Sequence, residues 1–372
     1  MTNGDALVPV FDGHNDMVLD MYGWGGRHER RSFFERGERG HLDLPRMREG
    51  GFAGGIFAVY VPADPSADRP ELRPAAGQGD EGDPKGLAAP IGQEYALRTA
   101  VALSSTLMRI EEESGGDFTI VRDVDDIRAC MDAGRIAAVL HFEGAEAIDP
   151  GLNALEVFYR AGLRSLGLVW SRPNAFAEGV PFAFPHSPDT GPGLSSAGRD
   201  LVRACNRMGI LVDLSHLNER GFWDVAELST APLVASHSNA HAVTPVTRNL
   251  LDTQLDAVRA SGGIVGLNYA VQFARPDGRH DADTPLTDLV RHIDHLVEKM
   301  GVDHVGLGSD FDGCTVPADL GDATGLPKLI ATLRAAGYAD ADIRKLAHEN
   351  WLRVLETTWR RTPAADTPAR SG

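Results

Sequence analysis

Val8-Pro-Val-Phe-Asp-Gly-His-Asn-Asp16 is an apolar, β-prone run that stops in two polar side chains one residue apart. On an extended backbone alternate side chains leave the same face, so His14 and Asp16 converge while Gly13 and Asn15 point away. A neutral imidazole beside a carboxylate suits zinc or a similar divalent cation, and the end of a strand places the pair at a rim, not in a packed interior. A lone His-X-Asp is more often an ordinary surface turn. The decision rests on whether the same event recurs along the chain.

Apolar runs of strand length lie at 8–14, 55–61, 136–142, 163–169, 210–215, 232–236, 263–269 and 303–309, eight in all, separated by amphipathic stretches of helix length. The clearest helix covers 285–300, where Pro285 stands near the first turn and Leu286, Leu289, Val290, Ile293, Leu296, Val297 and Met300 form one stripe. Strand-helix alternation implies parallel pairing, because a parallel return needs a crossover long enough to be a helix. Eight such units predict a (β/α)8 TIM barrel of the α/β class, with a doubly wound open sheet as the structural alternative. A final helix near 340–358 carries Leu346, Trp351, Leu352, Val354 and Leu355 against the barrel. Residues 1–360 read as one domain, and 361–372 as a disordered tail. Two long loops interrupt it: 62–90, rich in proline, and 171–194, irregular yet aromatic.

Composition narrows the function. The 372 residues are 42% hydrophobic and 24% charged with a formal charge of −17, so nucleic acid and anionic membranes are poor partners. Cys130, Cys205 and Cys314 are odd in number and in no ligand spacing, which argues for a reducing compartment. No basic-then-apolar leader and no run of 18 apolar residues is present, so a cytoplasmic location is the default expectation.

Set against the strands, the polar residues fall into line. His14 and Asp16 end the first, Glu143 follows the third, His216 the fifth, His237 the sixth and Asp310 the eighth. In a (β/α)8 barrel those C-terminal ends crowd one mouth, where active sites of this fold lie. Chance placement of one pair is easy; placement of three histidines and three acids at equivalent positions is not. A metal site leads.

These residues also carry a resemblance. Asp-Gly-His-Asn-Asp16, Phe-Glu143-Gly, Asp-Leu-Ser-His216, Ser-His237-Ser-Asn-Ala with Thr-Arg248-Asn beyond it, Gly-Ser-Asp310-Phe-Asp-Gly and Glu-Asn-Trp351-Leu-Arg-Val-Leu, in unbroken order over nearly the whole chain, resemble the membrane (renal-type) dipeptidase family of zinc metallopeptidases. The resemblance implies a barrel of the amidohydrolase type with two Zn2+ per chain. By position, His14 and Asp16 would bind one ion, His216 and His237 the other, and Glu143 would bridge them. Arg248 would grip the substrate carboxylate, and Asp310 would handle the proton.

The chemistry of the residues is compatible with that assignment. A carboxylate can bridge two cations, and two metals sharing a water make hydroxide available at neutral pH. An amide leaving group needs a proton, a role that suits Asp310, with Asp312 on the other side of the turn as competitor. The planar fork of Arg248 matches a terminal carboxylate; an ordinary salt bridge is the plain alternative. Tyr60 and Tyr269 end strands and are candidate pocket walls, His141 a candidate support, His241 a helix cap, and His292 and His295 solvated helix residues. One position departs from the family. Where its dipeptidases carry a histidine that contacts the substrate carbonyl, this chain has Trp170, which donates only through its indole N–H; His186 on the next loop is the candidate substitute.

Three functions stay open: a dizinc dipeptidase acting on small peptide-like substrates with a free carboxylate, an N-acyl-amino-acid deacylase or other binuclear amidohydrolase, and a non-catalytic barrel. A full ligand set plus Asp310 argues against the last. Homodimer formation is left open by the sequence.

Overall fold

The computed structural model describes residues 7–23, 29–64 and 86–359. Among them run nine parallel strands: β1 Val10–Asn15, β2 Phe52–Tyr60, β3 Phe118–Ile120, β4 Ile136–Glu143, β5 Leu163–Gly167, β6 Leu211–Asp213, β7 Val234–Ala235, β8 Ile264–Leu267 and β9 Val305–Leu307. Eight follow one another in the order β1-β2-β4-β5-β6-β7-β8-β9. The circle closes where the Asp310 N–H donates to His14 O at 3.0 Å and the Asp16 N–H to Phe311 O at 2.8 Å. The predicted (β/α)8 barrel is therefore the fold, and the eight expected strands are its staves.

β3 was not expected. It pairs with Ile136, Ala137 and Ala138 of β4, whereas β5 meets β4 only from Leu140 onward. The short strand thus occupies the lower half of an edge that β5 leaves open, satisfying backbone groups that would otherwise be buried without partners.

Inside the barrel Phe11, Ile56, Val139, Leu211, Val234 and Ile264 pack with Trp351. The expected closing helix is three pieces, Asp340–Arg344, a π turn Lys345–Glu349 and Asn350–Trp359. Trp351, near the start of the last, donates its indole N–H to Leu307 O at 2.9 Å. A Cβ on Gly13 would lie 2.3 Å from that indole and 2.5 Å from Ser236 O, so only glycine lets β1 pass over it on the way to His14.

The larger apolar layer lies between strands and outer helices. Leu286–Met300 buries Leu286, Leu289, Val290, Ile293, Leu296 and Met300 as its stripe foretold. It also buries His292 completely, which corrects the expectation of a solvated residue; His295 is partly buried and pairs with Asp252 at 2.7 Å. Of the two long loops, 171–194 is described and is tied to the barrel by the bridge Gly179–Leu217. Residues 65–85, most of the other, and the tail 361–372 lie outside the described residues. Among the described residues no helix is long and apolar enough to cross a membrane.

Candidate active site

Parallel strands that end together deliver their last side chains to one mouth. His14 stands next to the end of β1 and Asp16 just beyond it; Glu143 closes β4, and His216, His237 and Asp310 follow β6, β7 and β9. Arg248 comes from the segment between β7 and the helix Asp252–Ala260. All seven are buried. Glu143 Oε2 lies 3.6 Å from His14 Nε2, while Oε1 lies 3.0 Å from His216 Nε2 and 3.6 Å from His237 Nε2. Asp16 Oδ2 is 3.6 Å from His14 Nε2, and the Nε2 atoms of His216 and His237 are 3.1 Å apart. One carboxylate thus turns a separate oxygen to each of two groups, His14 with Asp16 and His216 with His237.

These groups do not satisfy one another. Neither ring nitrogen of His14 has a hydrogen-bond partner, nor does Asp16 Oδ1, although buried polar atoms are nearly always paired. Burial opposes a charge on His14, yet Glu143 and Asp16 together push its pKa well above the usual histidine range. Burial likewise opposes ionisation of Glu143, but the field of His14 and the contacts with three imidazoles hold it well below the carboxylate range. Burial first, then Glu143, drives Asp16 upward. Burial also lowers His216 to about 4 and His237 well below its usual value, keeping both neutral as ligand imidazoles must be. Three acids, Asp16, Glu143 and Asp310, therefore share a water-poor space whose unmet demand is for positive charge. The donors fit two divalent ions.

Outer contacts aim the inner ones. Ser171 Oγ lies 2.8 Å from His216 Nδ1. Ser236 Oγ lies 2.7 Å from His237 Nδ1 and donates to Asp213 Oδ2. Asn268 Nδ2 donates to Asp310 Oδ2 at 2.9 Å. None of these supports was foreseen, since a serine or asparagine carries no distinctive signal and each acts on a residue tens of positions away or, for Ser236, on its neighbour. Backbone strain also gathers here: of the four non-glycine residues with positive φ among those described, His216 (68°), Asp310 (59°) and Asp312 (66°) belong to the mouth. A Cβ on the following Gly313 would lie 2.1 Å from Asp16 Oδ2 and 2.6 Å from Asp310 Oδ1, so any larger residue there would push both carboxylates from their places.

The remaining expected residues divide. Trp170 and Tyr60 reach the mouth, with the Trp170 ring 5.9 Å from that of His216 and 5.1 Å from that of Tyr60. The Tyr60 hydroxyl accepts from Arg172 Nη2 at 2.8 Å. Asp312 turns away, its N–H donating to His41 Nδ1 at 2.8 Å and its carboxylate facing Arg31 at 3.4 Å. His141 lies inside the barrel against Ser165 Oγ at 2.8 Å. Tyr269 is fully buried, edge-on to Phe311 at 5.7 Å. His186 is exposed with its ring on Ser187 O, and His241 bonds the His186 carbonyl, so neither joins the cluster.

A family model described as membrane dipeptidase (peptidase family M19) matches residues 6–366. A metallopeptidase of Rhodobacter sphaeroides, solved with a phosphinate mimic of the dipeptide L-Ala-D-Ala, superposes with a TM-score of 0.86 at 50% identity, covering 95% of this chain and 100% of that one. A solved dipeptidase described as a metallopeptidase of family M19 superposes equally, with a TM-score of 0.86, 50% identity and coverage of 95% and 99%. An uncharacterized protein of the pqqA 5′ region of Klebsiella pneumoniae is 51% identical over 253 residues, 68% of this chain and 93% of that protein.

Proposed function

This chain belongs to the membrane dipeptidase family of metallopeptidases, peptidase family M19, and on that premise we propose a zinc-dependent dipeptidase whose Glu143 bridges two ions, one held further by His14 and Asp16 and the other by His216 and His237. The observation that carries this reading is the division of the two Glu143 oxygens between the two groups. Two such ions would supply an acidified water and polarise the scissile carbonyl.

The chain's own residues do the rest. Asp310, its Oδ2 fixed by Asn268, takes a proton from the attacking water and delivers it to the leaving nitrogen. Arg248 commits three of its five N–H groups, Nε to His216 Nδ1 at 3.1 Å, Nη1 to Ser238 Oγ at 3.0 Å and Nη2 to His237 O at 3.0 Å. The others remain for the terminal carboxylate of a small peptide. A free lone pair on His216 Nε2 also requires the proton on Nδ1, where Ser171 Oγ can accept it; Arg248 Nε then loses its acceptor and becomes available too. Tyr60 and Trp170 flank the bound peptide. That the Rhodobacter sphaeroides relative was solved with a dipeptide mimic supports a substrate of this size. Three free cysteines support a cytoplasmic setting.

The test is hydrolysis by the zinc-loaded protein of L-L and L-D dipeptides, their C-terminal amides and tripeptides. Dipeptides alone should be cut, and Arg248→Ala should lower kcat/KM on them by about 10²-fold, the scale of a charged hydrogen bond left unmade. Equal turnover of a dipeptide and its amide would overturn the role of Arg248.

A further inference from the structure

Among the described residues, one flank of the site is aromatic. Tyr60 and Trp170 are half-buried there, and Phe182, carried in by the loop 171–194, is 38% exposed. Their rings form a continuous series, Tyr60 to Trp170 at 5.1 Å, Trp170 to Phe182 at 5.8 Å and Phe182 to the buried Phe273 at 5.5 Å. Trp170 and Phe182 both face His216, at 5.9 and 6.2 Å. The far end of the series meets Arg248, whose Cζ lies 5.8 Å over the Phe273 ring.

Resting on the dipeptidase reading above, we infer that Phe182 and Trp170 receive the side chain of the substrate's C-terminal residue, and that the enzyme prefers dipeptides ending in a large apolar or aromatic residue. A carboxylate held by Arg248 fixes the neighbouring Cα beside Phe273 and Phe182, so the side chain on that carbon extends along the wall. Arg172 braces the wall from behind, its Cζ 4.9 Å from the Trp170 ring and 5.2 Å from Tyr60, with Glu146 opposing its charge at 3.6 Å. The rings themselves offer apolar area and offset stacking. A carboxylate side chain would surrender water there and meet only the negative faces of the rings. A large ring left exposed at a mouth is also what a recognition surface requires and a core does not.

The test uses the zinc-loaded full chain and dipeptides with alanine first and Gly, Ala, Leu, Phe, Asp or Lys second, in both configurations of the second residue. We expect kcat/KM to rise at least ten-fold from Ala to Phe in the accepted configuration and to fall for Asp, with Lys between Asp and Phe. Phe182→Ala should compress the Phe-to-Ala ratio toward one, chiefly through KM on the Phe-ended substrate, and Phe182→Leu should restore part of it. A flat wild-type series, or a ratio that survives both Phe182→Ala and Trp170→Ala, overturns the inference while leaving dipeptidase activity in place. If no dipeptide is cut, the parent reading fails and takes this one with it.

Discussion

Asp310 and Asp312 stand two apart on one strained turn and carry the same side chain, yet their surroundings part them. Asp312 is tied to His41 and Arg31, whereas Asp310 lies with the imidazoles, held by a single side-chain amide. A proton shuttle has to change protonation state while it keeps its place, so Asp310→Asn separates the two duties. The amide keeps the shape but cannot take the proton; both metals and the melting temperature should be retained while kcat falls by about 10² or more. Near-normal turnover with both ions bound would remove Asp310 from the mechanism, and loss of metal would make it a ligand instead. At this scale the sequence was legible where chemistry and position coincide: His14, Asp16, Glu143, His216 and His237 each sit at a strand end, and one rule found them all. Ser236 and Asn268 also follow strand ends, β7 and β8, but like Ser171 they passed unnoticed, because a serine or asparagine announces nothing until the fold brings its partner to it. Trp170 stands beside His216, but His186, offered as its substitute, points at its own neighbour's carbonyl.

Strands buried on both faces read as plain apolar runs, which is why eight of them could be picked out by eye and the three-residue β3, behind Gly115-Gly116-Asp117, could not. The helix Leu286–Met300 shows a subtler miss. His292 is three residues after Leu289 and four before Leu296, squarely on the stripe, so the helical period points it inward although a solvated position was expected. Its neutral form is fixed by the backbone: the Ala240 N–H donates to Nδ1 at 3.1 Å, and Nε2 donates to Ala274 O at 3.0 Å. Protonation at Nδ1 would break the first bond, and burial lowers the pKa to about 3. Above an unfolded value near 6.5 both states are neutral and the group is silent. As pH drops below that, the unfolded chain takes up a proton that the fold refuses until about pH 3, so stability declines by about 1.4 kcal/mol per pH unit across that window. Urea titrations from pH 7 to 4 should show this slope in the difference between wild type and His292→Gln. Parallel curves would mean that the imidazole is not the group responsible.

For the whole molecule, the site is also a seam. Its candidate ligands come from the ends of β1, β4, β6 and β7, so the proposed ions would join strands that are far apart in sequence and whose direct pairing is short: β6 and β7 share a single registered pair, Asp213 with Val234. The barrel's own closure between β1 and the turn after β9 runs through the backbone of His14, Asp16, Asp310 and Phe311, the same segments that carry the site. Glu143 presses electrostatically on Asp16 and Asp310 across that seam, and cations held there would turn this repulsion into attraction. Anything that binds the folded state alone stabilises it by mass action, about 2.7 kcal/mol at a free concentration one hundred times Kd for each site. Removing metal with a chelator should therefore lower the melting temperature by several degrees, and added zinc should restore it as close to two ions bind. Glu143→Ala, deprived of the residue common to both sets, should lose the zinc response and most of the bound metal, whereas His237→Ala should lose chiefly one ion and keep part of the response. A melting temperature indifferent to zinc, or full occupancy in Glu143→Ala, would dissolve the proposed bridge and the chemistry that depends on it.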